Sequence, residues 1–142
     1  MIKENSGQVS LEYLLIFSIS LMILMIFTLP LAEEAIESTM DISDSLNARS
    51  EMSKISQAVK EVYGEGQGSK HSINVNLNKK IKITVTDNHV SCNLNLKSSS
   101  NKQINEYFNS NIKKTSLTLN KGPNTLIVEW PMNSKNMVIY RK

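Results

Sequence analysis

The sequence predicts an α+β protein: a long N-terminal α-helix, transmembrane and then amphipathic, followed by a small antiparallel β-sheet head. Three observations carry that expectation. Twenty residues without a charge run from Tyr13 to Ala32. From Ala48 to Val62, apolar residues recur at helical spacing. Beyond Gly68 they alternate with polar ones, the period of strands with one buried face. The 142 residues suffice for one modest core plus an anchor, not for two sizeable domains.

The apolar run comes first. At about 1.5 Å per residue, a helix of that length spans roughly 30 Å, the thickness of a bilayer's hydrocarbon layer. Pro30 lies inside it and offers no N–H to the Ile26 carbonyl, so a kink is expected there, at about 3 kcal/mol in an ordinary helix interior. Neighbours in a membrane protein relieve part of that cost. A secretory signal fits poorly, because its apolar core is only roughly 7–15 residues long and Pro30 stands where a cut after Ala32 wants a small residue. A lipoprotein signal needs a cysteine at the end of the run, and the single cysteine is Cys92. The twenty residues after Ala32 hold six acids (Glu33, Glu34, Glu37, Asp41, Asp44 and Glu51) against one base, Arg49. Flanks that stay in the cytoplasm are rich in Lys and Arg, so this flank suggests an inside N-terminus and an outside head.

Glu12 stands at the mouth of the run. A carboxylate carried to the bilayer centre costs about 2.5–3.5 kcal/mol, which calls for a partner. Around it the chain reads Gly7-Gln8-x-Ser10-x-Glu12, with Ile16 four residues further on. This resembles the class III signal peptide of archaeal type IV pilins, Gln-x-Ser-x-Glu-x-x-x-Leu, with Ile16 in the place of the final Leu. The resemblance implies that a prepilin peptidase recognises Gly7, Gln8, Ser10, Glu12 and Ile16 and cuts between Gly7 and Gln8. It further implies that an assembly ATPase and its membrane platform extrude the subunit from membrane lipid. Apolar helices of many pilin subunits then pack together in a filament core. The leader departs from the usual basic pattern, since Lys3 is offset by Glu4. In a dry core Glu12 needs neutralising. The α-amine freed at Gln8, on the same chain or a neighbour, is the expected partner, provided Gln8 has not cyclised.

Composition then divides the chain into a cleaved leader (1–7), a transmembrane or filament-core helix (8–32), an amphipathic stalk (33–65) and a β head (66–142). The stalk carries eight acids and three bases, the head twelve bases and three acids. In the stalk Ala48, Met52, Ile55, Val59 and Val62 share one stripe, which Ile36, Met40 and Leu46 extend less tidily. The helix is expected from Leu11 to Tyr63, broken by Gly64, Gly66 and Gly68. The lower half of the stripe should dock onto the protein's own head.

Alternation places strands at Ile73–Leu77, Ile81–Val85, Val90–Leu96, Leu117–Leu119, Leu126–Trp130 and Val138–Tyr140. Asp87-Asn88 signals a tight hairpin and Asn120 to Asn124 a longer turn. Asn133 to Asn136 should lead into the last strand. Ser99 to Asn109 is polar, with room for one short helix ending near Phe108. Five or six strands against a helix make a workable core.

Nothing here reads as catalytic, and no cofactor is expected. His89-x-x-Cys92 is the one pairing with metal-like spacing, and Cys plus His cannot supply the four ligands of a structural zinc site. Cys92 falls in the apolar register of its strand and reads as a buried thiol. Gly64 to Ser69 lacks the Lys-Ser/Thr ending of a phosphate loop. Lys79, Lys80 and Lys82, with Lys113 and Lys114, form a candidate patch for an anionic partner. Solubility, with packing against the acidic stalks of adjacent subunits, is the reading we favour. Tyr107, Phe108 and Trp130 are too few for a base-stacking platform, which argues against nucleic acid. The leading expectation is therefore a structural filament subunit with a role in surface adhesion. The alternatives are a membrane-tethered minor pilin-like binding protein and an uncleaved single-pass accessory protein.

Overall fold

A computed structural model of the chain describes residues 4–98 and 101–142, with side chains from Ser10 onward. Helix α1 runs Glu4–Glu65, longer than expected at both ends, and continues past Pro30. The chain divides into two compact units, Met1–Thr39 and Met40–Lys142. The first consists of helix among its described residues. The second holds the core.

α1 ends where glycine permits. Gly66 and Gly68 sit at φ +91° and +94°, left-handed conformations that a side chain disfavours. The Gly66 N–H and the Ser69 hydroxyl both donate to the Val62 carbonyl, at 3.1 and 3.0 Å, satisfying the last turn. Seven strands follow among the described residues: β1 Lys70–Leu77, β2 Ile81–Val85, β3 His89–Leu94, β4 Lys102–Tyr107, β5 Thr115–Leu119, β6 Gly122–Glu129 and β7 Val138–Arg141. They form two antiparallel sheets, ordered β1-β6-β7 and β4-β3-β2-β5. The α+β class is as expected, and a long N-terminal helix before small antiparallel sheets fits a pilin-like architecture. The head differs in detail, with two sheets instead of one.

The stripe Ala48, Met52, Ile55, Val59 and Val62 is buried at 0–2% exposure, in one cluster with Val75, Ile83, Val90, Leu119, Leu126 and Val128 from both sheets. Its less tidy extension through Ile36, Met40 and Leu46 does not share this burial, since those residues are 57–64% exposed. The stripe instead continues through Ser45 and Asp41, both buried. There the helix meets backbone groups of the head, so polar side chains suit the position.

One expectation fails. Ser99 to Asn109 holds β4, not a helix. Its one buried residue is Ile104, opposite Cys92, so the strand lies at a sheet edge with little apolar content to reveal it. The backbone pairing with β3 supplies what the side chains do not. The longer turn expected at Asn120 to Asn124 joins strands of different sheets, since β5 pairs with β2 and β6 with β1 and β7. The segment is a crossover between sheets. The buried Asn124 side chain fixes it by donating to the Asn120 and Gly122 carbonyls (2.8 and 2.9 Å) and accepting from the Asn120 N–H (3.1 Å). The Asp87-Asn88 hairpin and the turn at Asn133 stand where expected, the latter with Asn133 at φ +65°.

Candidate functional site

From Leu11 to Leu31, sixteen large apolar side chains are 39–70% exposed. Because they include unbroken runs such as Tyr13–Phe17 and Leu21–Phe27, they cover the helix on every side. The most apolar eighteen-residue window has a mean hydropathy of 2.6 and no residue buried, enough by length and composition to cross a membrane. Burying one large apolar side chain is worth about 1.5–3 kcal/mol, so an apolar surrounding for this segment is favoured by some tens of kcal/mol.

The polar residues within the run are fitted to such a surrounding. The hydroxyls of Ser18 and Ser20 donate back to the Leu14 and Ile16 carbonyls at 2.8 Å. Thr28 does the same to Leu24. Each side-chain donor is thereby satisfied inside its own helix, the way Ser and Thr enter apolar helices. Pro30 follows two residues later, with the chain still helical.

Of the expected recognition residues, Ser10, Glu12 and Ile16 lie on α1 and are exposed. Gly7 and Gln8 lie outside the residues whose side chains are described, so the proposed Glu12–amine pair is not part of the described geometry. The expected basic patch is divided by the β2–β5 register, Ile81 facing Leu119 and Val85 facing Thr115. Lys79 and Lys80 precede one end of that ladder; Lys113 and Lys114 precede the other, roughly 20 Å away at about 3.3 Å per residue. Lys82 pairs with Thr118 between them.

The sequence did not point to a set of polar clips between the helix and the head. Asp41, 4% exposed, accepts from the Lys97 N–H (3.1 Å), the Ser98 N–H and the Ser98 hydroxyl (2.7 Å each), with Lys79 Nζ at 3.9 Å. The Ser98 backbone and hydroxyl hold the carboxyl below its usual range; burial opposes them, while the Lys97 N–H and the Lys79 charge assist. Asn47 donates to the Asn76 carbonyl and accepts from the Asn78 N–H, both at 3.0 Å. Glu51, 5% exposed, accepts from the Asn76 N–H (3.2 Å) and from Lys54 (2.7 Å). Asn47 and Glu51 thereby satisfy the backbone carbonyl and N–H of Asn76 on the free edge of β1. Near the other end, Glu61 and Glu65 reach the two ring nitrogens of His71 at 3.1 and 2.9 Å. The only signal for these clips was that 41, 45 and 48 keep the 4-3 spacing of the stripe.

Cys92 is 2% exposed, and burial pushes its thiol up to about 11, the opposite of a reactive cysteine. No cluster of three or more His, Cys, Asp or Glu suited to a metal ion occurs among the described residues.

Residues 6–31 match the family model described as class III signal peptide. The matched stretch runs from one residue before Gly7 to Leu31, taking in both the Gly7–Glu12 motif and the exposed apolar run from Leu11 to Leu31. No curated protein and no solved structure matches the chain. The match supports a prepilin-type protein with a membrane-anchored precursor, and the family it points to is structural, not enzymatic.

Proposed function

We propose that the chain is the precursor of a structural subunit of an archaeal type IV pilus-like surface filament. The observation that carries this reading is the placement of a class III signal peptide match directly on a helix whose apolar surface is exposed all round. The precursor spans the membrane with its leader inside and its head outside. Prepilin peptidase cuts between Gly7 and Gln8, reading Ser10, Glu12 and Ile16 beyond the cut. An assembly ATPase and its platform then move the subunit out of lipid, and the apolar helices of many copies replace lipid for one another. Glu12 enters that core neutralised by the new α-amine. The head, with its own core, forms the filament surface and contacts other surfaces in adhesion.

N-terminal sequencing of mature chain from surface fibres tests the reading. A start at Gln8, or a blocked start whose first residue by mass is pyroglutamate from Gln8, is expected. Mature fibres built from chain that still begins at Met1 would overturn it.

A further inference from the structure

The charge blocks of this chain leave particular groups unmatched, and those groups complement one another. Strand register sets the first group. Leu77 faces Gly122, Ile81 faces Leu119 and Leu94 faces Lys102, so the β1–β2, β3–β4 and β5–β6 connections emerge at one end of the head. It is the Met40 end, because Asn47 holds Asn78 and Asp41 holds Lys97 and Ser98. These connections and their edges carry Lys79, Lys80, Lys97, Lys102 and Lys121.

The three acids of residues 66–142 lie toward the opposite end: Asp87 in the β2–β3 turn, Glu106 facing Val90, and Glu129 closing β6. Two aspartates of α1 face the basal lysines, and both are engaged. Asp41 holds Ser98, and Asp44 holds Lys79 at 2.6 Å. A cleft of about 680 Å³, lined by Met40, Asp44, Asn78, Lys79, Lys80 and Lys121, opens there, and Met40 is exposed. Lys80, Lys102 and Lys121 have no hydrogen bond or ion pair among the described residues.

The complementary group is Glu33 with Glu34, exposed and likewise without a partner among the described residues. They follow directly on the apolar run. Packing such runs side by side crowds the carboxylates of several copies into one zone, where like charges repel and lost hydration must be replaced. Lys80, Lys102 and Lys121 of the head carry the opposite charge and lack partners among the described residues, so the head of a second copy offers the counter-charge that this zone needs. We propose that Lys80, Lys102 and Lys121 of one copy receive Glu33 and Glu34 of a second copy, making the charge split of the chain a contact between subunits. The inference rests on the filament reading above.

Zero-length carbodiimide crosslinking of native fibres tests it, since this reagent joins only a carboxylate and an amine in contact. Dimer bands should yield peptides linking Glu33 or Glu34 to Lys80, Lys102 or Lys121, and the unassembled membrane precursor should not. The E33Q/E34Q chain should enter the membrane and lose its leader normally, yet release fewer fibres by about tenfold or more, as expected when desolvated cations lose their partners. Dimers lacking those peptides overturn the proposal, as do E33Q/E34Q fibres of normal yield and salt resistance. Loss of fibres from K80Q/K102Q/K121Q alone points instead to anionic lipid headgroups and also overturns it. A wild-type chain that is cut at Gln8 but never polymerises defeats the filament reading first, and the contact with it.

Discussion

Glu12 and Asp41 are two carboxylates of one helix with opposite settings. Glu12 is exposed beside an apolar run, and its partner must come from elsewhere. Replacing it with Gln should leave membrane insertion intact while reducing surface fibres by about tenfold or more, the outcome expected if the freed amine is left unmatched in a dry core. Electron microscopy of sheared material checks this, and abundant fibres from Glu12→Gln would sink the charge-pair idea. Asp41 is satisfied within the head. Its folded pKa is lowered, as is that of Glu129, where the Tyr140 hydroxyl acts first and Lys70 next. Stability from both is complete above the unfolded carboxylate values of about 3.9–4.3 and disappears as pH falls through the lower folded values. Cys92 works in the other direction. An unfolded thiol ionises from about pH 8.5, whereas the buried one waits until about 11, so alkali favours unfolding across that window. Lys70, raised by Tyr140 and then by Glu129, contributes below its unfolded value and loses that contribution as pH climbs through the folded one. Thermal melts of the detergent-solubilised chain should therefore show a plateau near neutrality with losses at both extremes. Asp41→Asn should blunt the acid limb and Cys92→Ala the onset of the alkaline one; an acid limb unchanged in Asp41→Asn would contradict the first assignment.

At the scale of elements, the stripe of α1 is what the head is built on. Met52 is fully buried in it, and Met52→Ala should cost about 2–5 kcal/mol in denaturant unfolding, from lost transfer energy plus the cavity left behind. A loss under about 1 kcal/mol would mean that the helix is not the floor of the core. The β5–β6 crossover gives a second test. Gly122 has φ +91° with open space around its α-carbon, so Gly122→Ala should cost about 1–2 kcal/mol from backbone conformation alone. The elements legible in the sequence were those whose side chains repeat the backbone's period. β2 shows the strand period in Ile81, Ile83 and Val85, and α1 shows the helical one from Ala48 to Val62. β4 was misread because Lys102, Ile104 and Glu106 hold a single apolar residue on the inner face. That the turn at Asn120 to Asn124 crosses between sheets was not legible, because local turn chemistry is the same whether the next strand returns to its own sheet or passes to another.

For the molecule as a whole, every buried apolar side chain among the described residues lies beyond Asp41, and every exposed one from Leu11 to Leu31 lies before it. A fragment of residues 40–142 should therefore be soluble and melt cooperatively without detergent; a non-cooperative transition would show that the head needs the preceding segment. The signal motif and the apolar run were settled by the sequence alone, because peptidase recognition and membrane crossing depend on consecutive residues and their total hydropathy. The charge split was equally visible as a count. Which charges are already spent was decided only by tertiary structure. Asp41, Asp44 and Glu51 look like solvated acids until the fold brings Ser98, Lys79 and Asn76 to them across 25 to 57 residues of chain. Hydropathy accumulates along a segment, whereas an ion pair exists only where folding closes the distance.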